Sequence, residues 1–342
     1  MYKEIGSDFW IENTTLSPTD NLKGDYVLSG RTAWDLIIKD IKKKRGISCV
    51  YMPSWCCHSM LEPLAENRVD IMFYDLEYDG SLVYHIDNNA SVDVLYITNY
   101  FGYNTNVSIE IVRRFKERGT IIVYDKTHSF LRKNDEYDCL ANYSFASLRK
   151  CFSVISGAYI TGLKLPSLMC YPFCEIREKA MISKYKYIKG EDTISKSFFL
   201  EAFSSFEEHL EKDYQNYAMD LTSKALLKQE DYELLRKKRR KNAEHIHNCL
   251  KGVSFLADFD VTAVPLFVPV IFESGEKRDR IKRVLIGEGI YCPVHWPMPN
   301  QVNSSLRVNQ IYERELSLIC DQRYDENDIH RMIRIINNNI NH

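Results

Sequence analysis

Apolar and polar positions follow two different periods along the first half of the chain. From Tyr26 a short apolar stretch and a Ser29-Gly30 turn precede apolar positions at helical spacing over 33–41, which predicts a strand or loop, a turn and a helix. Short apolar runs and amphipathic segments then alternate. The predicted strands lie at 48–55, 69–76, 92–102 and 120–125, and the predicted helices at 59–67 and 108–119. Strands separated by helices of about a dozen residues are typical of a mainly parallel sheet with covered faces.

The second half of the chain has fewer strands and longer helical segments. Its predicted strands lie at 142–147 and 264–272, and its predicted helical segments at 198–250, 277–289 and 326–338. A turn carrying Arg149 and Lys150 follows the first of these strands. We expect the long helical segment to lead into a second domain, with a large domain over 1–235 and a smaller one over 236–342.

Length and composition fit this organisation. The 342 residues exceed what one hydrophobic core usually organises. With 45% hydrophobic residues, 27% charged residues and a formal net charge of −2, the chain is globular and lacks the bulk charge of a nucleic-acid-binding protein. The basic cluster within 233–246 is interleaved with Glu233, Glu244 and apolar positions, so a solvated helix face is favoured over a nucleic-acid patch.

Cysteine spacing and the N-terminal segment predict a cytoplasmic protein. The ten cysteines are scattered, form no CxxC pair and lack zinc-site spacing, so we expect reduced thiols and no metal site. The start MYKEIGSDFWIEN has early acidic residues and no apolar core, which argues against a secretory signal. The chain has no run of about 18 apolar residues, so we expect no membrane span.

Three groups of residues at predicted turns and strand ends could carry chemistry. They are Ser29–Thr32 opening a helix, Asp125 with His128 after a strand, and Lys150 in a turn. Taken singly, these are a helix cap, a loop cap and a solvated charge. Together they match pyridoxal phosphate, which needs a lysine amine, a carboxylate near its ring nitrogen and donors for its phosphate.

The chain resembles the fold-type I pyridoxal phosphate enzymes, and within them the DegT/DnrJ/EryC1/StrS sugar aminotransferases. The segments that carry the resemblance are YVLSGRTAWDLI (26–37), YMPSWCCHSMLEPL (51–64), NYFG (99–102), IIVYDKTHSF (121–130), YSFASLRKCFSVISGAY (143–159), QNYAMD (215–220) and LSLICDQRYDENDIHRMIRII (316–336). This resemblance implies an α/β fold, with a mainly parallel sheet covered by helices in the large domain and a smaller α+β C-terminal domain.

The resemblance also implies roles for individual residues in holding the cofactor. Lys150 would bond covalently to the cofactor and later move the substrate proton, Asp125 would pair with the pyridine nitrogen, and His128 would lie near the ring hydroxyl. We expect Lys150 to lie in a largely desolvated pocket, which favours its neutral amine. The implied phosphate-binding residues are Gly30, Arg31 and Thr32, with Ser144 or Ser147, and Asn216 reaching the phosphate of the neighbouring subunit.

The resemblance implies two further roles, one toward the cofactor ring and one toward the acceptor substrate. Trp55 or His58 would stack on the cofactor ring, and His295 with Trp296 would contact the acceptor substrate. The sequence departs from the family at Ala218, where an arginine is expected, and at Ser156-Gly157-Ala158, where the family has Glu-Gly-Gly.

The predicted function is therefore that of a pyridoxal phosphate-dependent aminotransferase. Its expected partners are a small-molecule amino donor, often glutamate in this family, and a nucleotide-linked keto-sugar acceptor, in a homodimer that makes amino sugars for surface polysaccharide. One alternative is a protein that keeps the fold and binds a ligand or partner without transamination. Another is an enzyme that keeps the cofactor and catalyses a different reaction.

Overall fold

The chain divides into two compact units. The first unit comprises Met1–Ser7, Arg45–Asn142 and Tyr232–His342. The structure is a computed structural model that describes residues 4–12, 23–103, 107–133, 135–191, 194–260 and 262–340. Elements are numbered in chain order through both units. The strands of the first unit are β1 (Ile5–Gly6), β3 (Cys49–Pro53), β4 (Asp70–Tyr78), β5 (Leu82–His85), β6 (Val94–Thr98), β7 (Ile121–Asp125), β10 (Ser254–Phe255), β11 (Val268–Ile271), β12 (Ile290–Tyr291) and β13 (Glu315–Leu318). Its helices are α2 (His58–Glu66), α3 (Ile109–Glu117), α4 (Tyr137–Leu140), α8 (Tyr232–Cys249), α9 (Gly275–Gly287), α10 (Asn309–Arg314) and α11 (Glu326–Asn339).

A mainly parallel sheet with the strand order β7-β6-β3-β4-β5 forms the centre of this unit. Its first four strands run parallel and β5 pairs antiparallel with β4. Every residue of β6 and β7 is buried, as expected for a parallel sheet covered on both faces. The register pairs Thr98 with Asp125, so both residues lie at the carboxyl ends of their strands.

The C-terminal part of the first unit adds a small antiparallel sheet. Its order is β10-β11-β13, and helices α8, α9 and α11 pack on one another or against it. The short strands β1 and β12 form a separate parallel pair.

The second unit comprises Asp8–Lys44 and Tyr143–Asp231. Its elements are β2 (Asp25–Val27), α1 (Gly30–Arg45), β8 (Tyr143–Ser147), β9 (Ala158–Thr161), α5 (Cys174–Ile188), α6 (Lys196–Lys212) and α7 (Leu221–Lys228). Strand β9 pairs antiparallel with both β2 and β8. Helices α5 and α6 pack together around a core that includes Phe9, Met181, Phe199 and Phe203.

Most predicted strands and helices are confirmed, with two corrections. The segment 198–250 is not one long helix but α6, α7 and α8, because Asp220 caps a new helix by accepting a hydrogen bond from the Ser223 N–H at 2.7 Å. The basic cluster on α8 is not solvated throughout. Arg239 is 1% exposed and donates to the carbonyls of Pro265 and Leu266.

The predicted domain boundary at 235/236 stays a prediction. All ten cysteines are free thiols. Across the described ranges, no helix combines the length and apolar character needed to cross a membrane. The same residues contain no cluster of three or more His, Cys, Asp or Glu side chains that could hold a metal ion.

Candidate active site

Asp125 ends β7 in the first unit, and its carboxylate is buried. Its Oδ2 accepts a hydrogen bond from the Tyr96 hydroxyl at 2.7 Å, and its Oδ1 accepts one from the Thr127 N–H at 2.8 Å. Burial raises the pKa of Asp125, and the hydrogen bonds from Thr127 and Tyr96 oppose that rise. Both donors are neutral. A protonated ring nitrogen placed against this carboxylate would therefore offset a desolvation cost that these donors only partly relieve.

His128 lies three residues beyond Asp125 and is also buried. Its Nδ1 accepts a hydrogen bond from the Phe101 N–H at 3.2 Å, so in the neutral ring the proton is on Nε2. Phe101 adopts a left-handed φ of 59° in a short 3-10 turn after β6. Backbone strain of this kind is concentrated at functional sites. The turn thereby fixes which nitrogen of His128 can donate to a ligand.

The two residues proposed to stack on a cofactor ring differ in exposure. Trp55 is fully buried, and its ring stacks on Tyr100 with the centroids 4.6 Å apart. Its indole N–H donates to the His295 carbonyl at 2.6 Å. His58 is exposed at the first position of α2. The geometry therefore favours His58 over Trp55 as the residue that could meet a ligand.

His295 and Trp296 lie close to His128 in the first unit. The His128 ring centroid is 5.7 Å from each of the other two ring centroids. His295 is 5% exposed, whereas Trp296 is partly exposed and lines a cavity of about 550 Å³ with Arg278, Lys282 and Met298. Cavities of this volume suit small-molecule ligands. Trp296 is therefore open to a molecule in this cavity, whereas His295 is buried next to it.

The start of α1 in the second unit is the predicted phosphate cradle. Ser29 Oγ accepts from the Thr32 N–H at 3.2 Å, and the Thr32 hydroxyl donates to the Tyr214 carbonyl at 2.7 Å. The Arg31 guanidinium lies over the Tyr214 ring and donates to the Leu210 carbonyl. These side chains hold the loop in place. The backbone N–H groups of Gly30 and Arg31, at the first turn of a long helix, are the groups suited to bind an anion.

The structure distinguishes between the two candidate serines. A Cβ atom added to Gly30 would lie 3.1 Å from the Ser147 Cβ, so Ser147 lies directly against the start of α1. Ser144 is three residues earlier on β8, so its side chain faces the opposite side of the strand. Ser147 rather than Ser144 is therefore beside the predicted phosphate cradle.

Gly157 links the Lys150 turn to the segment that precedes the predicted phosphate cradle. Its N–H donates to the Leu28 carbonyl at 2.7 Å, and its carbonyl accepts from the Leu148 N–H at 3.0 Å. Leu148 begins the short 3-10 turn that ends at Lys150. Lys150 is exposed in the single chain, so the expected desolvation is wrong for this chain on its own. The turn, Ser147 and the start of α1 nevertheless converge within one unit.

A network of ion pairs surrounds the residue that precedes Lys150. The Arg149 guanidinium binds both carboxylate oxygens of Glu207, at 2.6 and 3.3 Å. Arg177 binds the same carboxylate at 3.1 Å and Asp8 at 3.1 Å. Although burial opposes it, the attraction of Arg149, Arg177 and Lys150 lowers the pKa of Glu207 to about 2. The network anchors the turn that carries Lys150.

Asn216 lies in the loop between α6 and α7. It adopts a left-handed φ of 61°, and its carbonyl accepts a hydrogen bond from the Met169 N–H at 2.9 Å. Its predicted contact with the phosphate of a neighbouring subunit stays a prediction.

Sequence reasoning missed the residues that support these side chains. They are Tyr96 and Thr127 at Asp125, Phe101 at His128, Glu207 near Lys150, and Glu315 with Ser317 at His295. One usable signal was present, because Glu315 is a charged residue in the short, otherwise uncharged strand β13.

Comparisons with known proteins identify the fold. No protein-family model matches the sequence, and no curated protein sequence matches it. Among solved structures, the PLP form of Spr1654 from Streptococcus pneumoniae has a TM-score of 0.67 at 14% identity and covers 99% of this chain and 99% of its own. Helicobacter pylori PseC, an aminotransferase involved in the biosynthesis of pseudoaminic acid, has a TM-score of 0.66 at 14% identity and covers 100% and 99%. A DegT DnrJ EryC1 StrS aminotransferase from Brucella abortus has a TM-score of 0.58 at 16% identity and covers 91% and 84%.

These similarities confirm the predicted fold. The chain has the α/β fold of the fold-type I aminotransferases over nearly its whole length. The resemblance inferred from the sequence is thus confirmed at the level of the fold.

Proposed function

We propose that this protein is a pyridoxal phosphate-dependent aminotransferase. Its reaction would transfer an amino group from an amino acid, with glutamate the first candidate, to a nucleotide-linked keto-sugar. The observation that carries the proposal is the convergence of Lys150, Ser147 and the start of α1 in the second unit. The backbone turn that ends at Lys150 is thereby held near a helix start whose free N–H groups suit a phosphate, and these are two of the features that the cofactor requires.

The residues present fit the cofactor. Gly30 allows the close approach of α1 to Ser147, where any side chain at position 30 would crowd the cradle. Asp125 supplies a buried carboxylate held by two neutral donors. We propose that Gly30, Arg31 and Ser147 bind the phosphate, that Asp125 binds the ring nitrogen and that Lys150 provides the amine. Thr32 would support the cradle through its bond to Tyr214.

Each side chain then has a defined chemical task. Bound pyridoxal phosphate supplies a reactive aldehyde and an electron-withdrawing ring. Asp125 would hold a proton on the ring nitrogen, Tyr96 and Thr127 keep that carboxylate oriented, and His128 would present Nε2 as a donor to the ring hydroxyl oxygen. The Lys150 amine would take the proton from the donor Cα and deliver it to C4′ of the cofactor within the same half-reaction, and it would move a proton the opposite way, from C4′ to Cα, in the second half.

Substrate binding is proposed at the cavity beside Trp296. Its aromatic side chain offers a surface for a sugar or base, and the charged lining combines Arg278 and Lys282 with Asp279 and Glu313, so that basic and acidic groups are both available to a polar ligand. The description of Spr1654 as a sugar aminotransferase supports a sugar acceptor. We also propose a homodimer, in which Asn216 reaches the site of the partner.

Covalent trapping tests the cofactor assignment. The purified protein is incubated with pyridoxal phosphate, reduced with borohydride and digested, and the labelled peptide is identified by mass spectrometry. We expect an absorbance band in the near-ultraviolet to visible range and a label on Lys150. Lys150→Ala should lose both, whereas Lys164→Ala, at an exposed lysine of the same unit, should keep both.

The amino donor is tested on the loaded wild-type protein. Addition of glutamate should shift the absorbance to that of the amine form of the cofactor, and a keto-sugar acceptor should reverse the shift. A protein that binds the cofactor but shows no shift with any amino acid would favour a different cofactor reaction. A colourless protein that takes up no label would favour the ligand-binding alternative.

A further inference from the structure

Glu315, Ser317 and His295 form a buried chain of polar side chains in the first unit. The Ser317 hydroxyl binds the Glu315 carboxylate, and it lies 2.7 Å from His295 Nδ1. The other carboxylate oxygen of Glu315 accepts from the His295 N–H at 2.8 Å. Glu315 and Ser317 have no exposed surface, and His295 is 5% exposed. None of the three roles proposed above for Lys150, Asp125 and His128 uses this chain.

The position of the Ser317 hydroxyl proton determines which way the hydrogen bonds between Glu315, Ser317 and His295 run. When Glu315 is ionised, Ser317 donates to it and must accept from His295, so the imidazole carries its proton on Nδ1. When Glu315 is protonated, it donates to Ser317, and Ser317 can then donate to Nδ1, so the proton of the neutral imidazole moves to Nε2. The charge of Glu315 is thereby transmitted to the far side of the His295 ring.

The charged and titratable groups around Glu315 come from several elements. Arg278 and Lys282 on α9 attract the carboxylate, but Arg278 donates to the backbone carbonyls of Tyr312 and Glu315. Cys292, after β12, is buried close enough for Glu315 to act on its pKa. Burial raises the pKa of Glu315 to about 8, against the hydrogen bonds from Ser317 and His295 and the two basic side chains. Both charge states of Glu315 are therefore accessible near neutral and mildly alkaline pH.

The His295 ring connects this chain to the candidate site. Its centroid lies 5.4 Å from that of Phe101, 5.7 Å from that of His128 and 5.2 Å from that of Trp296. Because Ser317 occupies the Nδ1 side, the Nε2 side of the ring is the one directed away from Glu315. A change of tautomer therefore changes a nitrogen from donor to acceptor in the ring cluster that contains His128 and Trp296.

The order of the three groups excludes a nucleophilic triad. In such a triad the hydroxyl lies at the end of the chain, where it attacks a substrate. Here Ser317 lies between the acid and the imidazole and has no exposed surface. The arrangement is suited to orienting the imidazole and to setting its protonation.

We propose that Glu315 is a positioning residue that sets, through Ser317, which nitrogen of His295 carries the proton. The consequence for ligands beside Trp296 rests on the proposed function, whereas the tautomer exchange itself rests only on contacts within the first unit.

Nitrogen-15 NMR of histidine-labelled full-length protein tests the proposal without cofactor or substrate. The His295 signals are assigned by their absence in His295→Gln. Between pH 7 and 10 we expect the wild-type ring to exchange its neutral tautomers with a midpoint near the Glu315 pKa of about 8. The ratio of tautomers should change roughly tenfold per pH unit around that midpoint. A wild-type ring whose tautomer is constant over this range would overturn the proposal.

Two variants and a control locate the effect. In Glu315→Gln the amide oxygen must face the His295 N–H, so the amide NH₂ donates to Ser317 and the proton should stay on Nε2 at every pH. Ser317→Ala should uncouple His295 from Glu315. The control, Glu313→Gln, changes an exposed neighbouring carboxylate and should titrate as wild type. A tautomer exchange that persists unchanged in Glu315→Gln would also contradict the proposal, and neither result depends on whether the protein binds pyridoxal phosphate.

Discussion

Single residues determine whether the parts of the candidate site can approach one another, and Gly157 is the clearest case. It has a left-handed φ of 136°, and a Cβ atom there would lie 2.7 Å from the Met219 Cε. Its two backbone hydrogen bonds reach Leu28 and Leu148. The segment Ser156-Gly157-Ala158 therefore has its glycine at a position whose positive φ disfavours any other residue.

Replacement of this glycine should destabilise the fold. We expect Gly157→Ala to lower the free energy of unfolding by about 1–3 kcal/mol, because alanine is strained at this φ and its methyl group meets Met219. Denaturant unfolding measures the loss. Gly190→Ala is the matched control, since Gly190 also has a positive φ but has no neighbour within 4 Å of the added methyl group. Equal losses in the two variants would mean that the contact with Met219 does not matter.

At the scale of single residues, the sequence predicts the site residues that a short local pattern marks. Lys150, Asp125 and Gly30 lie at turns and strand ends, which short patterns reveal. Tyr96 could not be predicted as a donor to Asp125, because the two are 29 residues apart and meet only through the register of β6 and β7. Thr32 is a second example of a contact that the sequence does not reveal, since its hydroxyl donates to the carbonyl of Tyr214, 182 residues away.

Elements with a regular apolar stripe could be predicted, and those stabilised by buried polar groups could not. Helix α11 has both the stripe and a start signal and was predicted nearly to its ends. Helix α5 was missed because it buries Arg177 and Lys184, which bind Asp8 through its carboxylate and its carbonyl, so its buried face does not look apolar. Strand β5 was missed because it is short and none of its residues is fully buried.

The start of α11 is stabilised by a reciprocal cap. Asp325 accepts from the N–H groups of Asn327 and Asp328, at 2.9 and 3.0 Å, and its own N–H donates to the Asp328 carboxylate. We expect Asp325→Ala to cost about 0.5–2 kcal/mol of unfolding free energy, because two N–H groups lose their acceptor. Asn338→Ala, at an exposed position of the same helix, should change stability much less. Thermal and denaturant unfolding compare the two variants, and similar losses would argue against the cap.

For the whole molecule, the sequence predicts the correct fold class because the alternation of strands and helices is a long-range pattern that tolerates local errors. It could not give the composition of the two units, since each combines segments that are far apart in the sequence. In the second unit, the ion pairs of Glu207 join α6 to the Lys150 turn and to α5, and Arg177 continues the network to Asp8.

This network predicts an acid-sensitive second unit. The folded-state pKa of Glu207, about 2, lies below the usual glutamate value of about 4.3. Its contribution to stability is therefore present above pH ~4.3 and is lost as the pH falls towards 2. Glu207→Gln leaves two arginines facing each other and should be destabilised most above pH ~5, with the difference from wild type shrinking in acid. Urea unfolding at several pH values measures this difference, and Glu201→Gln, exposed on the same helix, should show none.

The pairing of β1 with β12 constrains the order in which the two units can fold while the polypeptide is being synthesised. Residues Ile5 and Gly6 leave the ribosome well before their partners Ile290 and Tyr291, which follow 285 residues later in the chain. All residues of the second unit have been synthesised once Asp231 is added, whereas the first unit still lacks its last 111 residues, Tyr232–His342. Strand β1 must therefore wait until every element up to β12 has been synthesised before it acquires its neighbour.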